Sequence, residues 1–94
     1  MSDDKKIPLE PVDAKEIGKH FGLSERSIDV LLKTYGFQTE VHIDGASKEC
    51  YVPTKGRGSA HCDSLKIMGY TEDDEPYYRP LWRDTIYNAL RAYV

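Results

Sequence analysis

Between Asp13 and Gly36 the apolar positions recur at helical spacing in two short bursts. Ile17 and Phe21 lie four apart, and Ile28, Leu31 and Leu32 restore an apolar face after a break at Gly22. Each burst carries its own punctuation. Asp13 is a good N-cap with Glu16 three residues on, the pattern of a capping box. Gly22 offers the positive φ that stops a helix, and Leu23 is expected to anchor the following turn in the core. Ser24 then caps a second helix that Gly36 ends. The spacing predicts helices over about 14–21 and 25–35, joined by a tight turn.

After Gly36 the period changes to two. Phe37 to Ile43 and Lys48 to Val52 read as strands, with Asp44-Gly45 between them as a hairpin signal. Phe37, Thr39, Val41, Ile43, Cys50 and Val52 are expected to point inward, and Glu40, His42, Glu49 and Tyr51 outward. A four-residue loop sets His42 opposite Glu49, whereas a two-residue loop sets Glu40 there, so the longer loop is favoured. Beyond Val52, Thr54 is placed to cap a helical turn running through Ala60 to Cys62. Leu65 to Met68 reads as a short strand or turn, 69–76 as a loop, and Tyr77-Tyr78-Arg79 as a returning strand. Pro80 suits the first turn of a terminal helix over 81–93, on which Trp82, Ile86, Ala89, Leu90 and Tyr93 share a face. Residues 1–12 read as a flexible N-terminal arm and 13–94 as one domain.

These elements predict an α+β fold, a winged helix: a helix-turn-helix, a β-hairpin wing and a C-terminal helix. In such a unit the outward-facing second helix is the one that enters a DNA groove.

Charge qualifies that expectation. The 94 residues carry a formal net charge of −3. Residues 14–66 are near neutral, and the excess acid lies in the flanks, including the run Glu72, Asp73, Asp74, Glu75. Small DNA-binding domains are usually distinctly basic, because neutralising phosphates supplies most of their non-specific affinity. No apolar run is long enough to span a bilayer and no secretory signal is evident, so a cytoplasmic protein with no membrane partner is expected. Cys50 and Cys62 do not form a disulfide framework, and Cys50 reads as a buried thiol.

The candidate DNA-binding residues are Ser24, Arg26, Ser27 and Lys33 on the second helix, Lys48 at the wing tip, and Lys55 and Arg57 in the Lys-Gly-Arg-Gly turn. Arg26 and Ser27 are suited to base edges or phosphates, and Lys55 and Arg57 to the backbone. Glu25 and Asp29 sit on the same helix and would repel phosphates. His20, His42, Cys50, His61 and Cys62 lack the spacing of a tetrahedral metal site. No nucleophile, base and orienting acid stand in a supportive local pattern, so neither an enzyme nor a cofactor is expected. The acidic run 72–75 is a solvated loop, a contact for a basic protein partner, or a patch that resembles DNA and competes with it. Tyr77, Tyr78, Trp82, Tyr87 and Tyr93 read as packing residues and not as a base-stacking platform. Oligomeric state is not legible.

Three segments together resemble a known family. Glu16-Ile-Gly-Lys-His-Phe-Gly-Leu-Ser24, Leu31-Leu-Lys-x-x-Gly-Phe-Gln38 and Val52-Pro-Thr-Lys-Gly-Arg-Gly-Ser-Ala60 resemble the winged-helix modules of bacteriophage antirepressor-type proteins, with Trp82 as the aromatic that opens the last helix. The resemblance implies DNA-binding regulation in a phage or prophage setting. The alternative is a winged-helix module that binds a host protein and no DNA.

Overall fold

Asp13 starts the first helix as its spacing predicts, its carboxylate accepting from the Glu16 N–H at 2.9 Å. This computed structural model describes residues 10–45 and 50–94. Helix α1 (Ala14–Phe21) ends at Gly22, whose φ of 73° lies in the left-handed region, and helix α2 (Glu25–Thr34) begins one turn later under a Ser24 cap. The turn between them is tight. Leu23 donates its N–H to the Gly18 carbonyl at 2.8 Å, and a side chain at Gly18 would collide with the Leu23 carbonyl. Leu23 therefore fixes the turn by its backbone. Its side chain, expected in the core, is 38% exposed.

Strands β1 (Gln38–Val41) and β2 (Cys50–Pro53) pair antiparallel, with Val41 opposite Cys50 and Glu40 opposite Tyr51. That is the register of the longer loop. The loop residues 46–49, with the expected contacts of Lys48 and Glu49, lie outside the described residues. The expected division into an inner and an outer face does not hold. Tyr51, expected outside, is buried, and Thr39, expected inside, is exposed. The reason is a neighbour that local pattern cannot show: a second hairpin packs against the first through β2.

Thr54 works as a local hub. Its hydroxyl donates to the Gly36 carbonyl at 2.6 Å and accepts from the Gly58 N–H at 2.9 Å, which leads into the short helix α3 (Arg57–His61). The second hairpin follows, formed by β3 (Cys62–Tyr70) and β4 (Pro76–Trp82). It is longer than the fragments read from the sequence. Pro80, expected in a helix, lies buried in β4, and the terminal helix α4 starts only at Thr85 and ends at Arg91. Trp82 closes the strand instead of opening the helix. It exchanges two backbone hydrogen bonds with Val12, at 2.9 and 2.7 Å, on the edge of β4 away from β3. Val12 is itself buried, so the last residue of the expected arm belongs to the domain.

One core gathers the pieces. Ile17 from α1, Ile28 and Leu32 from α2, Trp82 at the end of β4, and Ile86, Tyr87 and Leu90 from α4 are all essentially inaccessible to solvent. Each fully buried aliphatic side chain contributes about 1.5–3 kcal/mol relative to exposure. Cys50, Tyr51 and Tyr77 are buried where the hairpins meet, and burial pushes the Cys50 thiol above its usual pKa. The described residues thus form a small α+β domain of four helices and two antiparallel hairpins. Among them no helix is long and apolar enough to cross a membrane.

Candidate nucleic-acid interface

Helix α2 buries Ile28 and Leu32, which turns the 26–27, 30 and 33–34 positions outward. Its two acids do not join that outward surface freely. Asp29, expected to be exposed, is 6% accessible and faces β4. There the Arg79 guanidinium meets the Asp29 carboxylate and also reaches Glu25 at 3.1 Å, one cation held across two carboxylates a helical turn apart. Gln38 adds its amide, at 3.3 Å, to both the Asp29 carboxylate and the Asp29 backbone carbonyl. The far side of Arg79 lies over the Tyr51 ring, 5.1 Å from its centroid.

Burial pushes the Asp29 carboxyl above its usual pKa, against the hydrogen bond and charge of Arg79. Burial acts to lower the Arg79 pKa, but Asp29 and Glu25 override it and the guanidinium is held more firmly charged than usual. The cluster forms part of the wall of a partly enclosed pocket that Asp13, Lys66, Met68 and Leu81 also line.

With Asp29 buried against Arg79, the exposed residues of α2 are Arg26, Ser27, Val30, Lys33, Thr34 and the ion-paired Glu25. Arg26 is exposed and makes no hydrogen bond or ion pair among the described residues. Lys33 pairs with Glu40 at 3.1 Å, with both side chains about half exposed, an arrangement worth at most about 1 kcal/mol. Ser24 and Ser27 are occupied with each other. Ser24 Oγ accepts the Ser27 N–H at 3.1 Å and donates to Ser27 Oγ at 3.0 Å, so both serve the cap.

The Lys-Gly-Arg-Gly turn divides its cations. Lys55 is exposed, whereas Arg57 donates to the Tyr35 carbonyl at 2.9 Å and lies 5.4 Å from the centre of the Phe37 ring. Arg57 thus braces the exit of α2 as well as carrying charge. Tyr35 in turn stacks on Tyr93, with ring centres 3.9 Å apart.

The remaining candidates disperse. His20 packs edge-on to Phe21 and Tyr87, His42 sits 3.0 Å from Asp44, and His61 sits 2.8 Å from Thr85. The Cys62 thiol donates to the Ser64 and Leu81 carbonyls at 3.4 and 3.5 Å. Of the aromatics, Tyr77, Trp82 and Tyr87 are buried, and burial pushes the Tyr87 hydroxyl up to about 12. Glu72 to Glu75 form the exposed turn between β3 and β4, folded around the buried Thr71, whose hydroxyl accepts from the Asp73 and Glu75 N–H groups.

Two residues escaped the sequence reading. Arg79 gave no signal, because its partners are remote in sequence. Val30 had one: it falls opposite the Ile28 and Leu32 face at helical spacing, and it is 55% exposed. The chain matches no protein-family model, no curated protein and no solved structure.

Proposed function

We propose that this chain is a winged-helix, DNA-binding regulatory protein of the phage type, with α2 as the helix that enters the major groove. The observation that carries the reading is the Arg79 clamp. The main electrostatic objection to α2 as a DNA reader is its pair of acids, and Arg79 draws both toward β4: Asp29 is buried in the contact, while Glu25 stays 45% exposed and the trio keeps one formal negative charge in excess. Arg26 and Lys33, the latter paired with Glu40, remain exposed one turn before and after Asp29, and Lys55 and Arg57 are exposed near the end of the helix, Arg57 while also donating to the Tyr35 carbonyl. No catalytic step is assigned to it.

A specific observation favours the second reading, a module that binds a protein and not DNA. Strand β3 exposes Leu65 (44%), Ile67 (47%) and Tyr70 (61%) beside the acidic turn 72–75. Such a strand edge is a surface a basic, apolar partner would use.

The deciding experiment is fluorescence anisotropy of a mixed-sequence duplex of roughly 20 base pairs, titrated with the protein between about 50 and 200 mM salt. Binding that weakens steeply with salt supports the DNA reading. Absence of binding at the lowest salt overturns it in favour of the protein-binding module.

A further inference from the structure

We propose that Val30 reads the C5-methyl group of thymine, making this protein selective for duplexes with a thymine at one defined position. The inference rests on the DNA reading above and deepens it.

Val30 is hard to explain as a folding residue. The core of α2 is complete without it, since Ile28 and Leu32 are fully buried and Leu31 packs at the margin. At 55% exposure its side chain gains little from burial. Its β-branch also loses rotamer freedom in a helix, so an alanine here would favour the helix more.

Its surroundings fit a base reader. Arg26 lies one turn before Val30 and Lys33 one turn after, while Ser27 and Thr34 flank it without charge. A central apolar group between Arg26, which has no ion-pair partner among the described residues, and Lys33, which shares its charge with Glu40, suits the major groove, where the thymine methyl is the one apolar feature on the base edges and the phosphates lie to either side. Of the two acids of α2, Asp29 is buried against Arg79, and Glu25, 45% exposed, is ion-paired with the same guanidinium. An exposed valine therefore stands on the face that α2 would turn toward the base edges on entering the groove.

The experiment begins with selection of binding sites from a random duplex library. The selected duplex is then resynthesised with deoxyuridine in place of each thymine in turn, which deletes only the methyl group. The wild-type protein is expected to bind roughly fourfold more weakly when one particular methyl is removed, the factor for burying one methyl-sized group. In Val30→Ala, which circular dichroism should show to be folded, that difference should vanish. If salt-sensitive binding persists but removing methyl groups affects wild type and variant alike, the assignment of Val30 is overturned and the DNA reading stands. If the library yields no bound duplex at low salt, the DNA reading itself has failed and this inference falls with it.

Discussion

The guanidinium of Arg79 on β4 closes on the carboxylate of Asp29 on α2, two residues 50 positions apart in sequence. The contact joins the second hairpin to α2 and buries one of the helix's two acids. A buried ion pair is weak evidence for stability, because removing both charges from water costs nearly what their attraction returns. Its clearer consequence here is geometric: with Gln38 and Tyr51 it fixes the hairpin against one flank of α2.

Arg79→Met should destabilise the domain by about 3 kcal/mol, since it leaves a carboxylate buried without its cation. The double variant Arg79→Met with Asp29→Leu should recover a large part of that loss. Urea unfolding of the two single variants and the double measures the coupling. Additive losses would mean that the two side chains do not act as a pair.

The same cluster gives a pH dependence with a definite sign. Burial raises the folded-state pKa of Asp29 above its unfolded value, so the folded protein takes up that proton first as pH falls. The contribution is fully present below the unfolded pKa and is lost as pH rises through the folded one. Wild-type stability measured relative to Asp29→Asn should therefore increase from pH 7 toward pH 4. Denaturant midpoints of both proteins across this range test it, and a difference that shrinks toward acid would contradict the assigned direction.

Gly18→Ala should cost on the order of 1–3 kcal/mol, because the new methyl meets backbone and not a side chain that can swing away. The collision with the Leu23 carbonyl forces the helix-helix turn open. A drop in Tm of several degrees is expected, followed through the single Trp82 in the core. An unchanged Tm would show that the turn yields without penalty.

On DNA, Lys55→Ala should weaken binding to all duplexes alike and reduce the salt slope by roughly one unit. Arg26→Ala should instead weaken the selected site more than random sequence. Arg57→Ala should do two things at once, losing affinity and about 1 kcal/mol of stability with the hydrogen bond to Tyr35. Anisotropy on both duplexes, combined with thermal melts, separates the three. A fully stable Arg57→Ala would remove its bracing role.

The sequence by itself determined the elements whose causes are local. Asp13, Gly22, Ser24 and Gly36 punctuate two helices, and the order and register of the first hairpin follow from the pattern around Asp44-Gly45. A cap or a left-handed turn depends on a few neighbouring residues, so spacing alone reveals it. Tertiary structure decided the rest. Trp82 became the end of a strand because β3 and Val12 offer it backbone partners on both edges, overriding a helical periodicity that continues from Ile86. Tyr51 went inward because β4 covers its side of the hairpin, and Asp29 left the surface of α2 because Arg79 arrives from the far end of the chain. Burial of a side chain is set by what packs on it, and that neighbour is named nowhere in the local pattern.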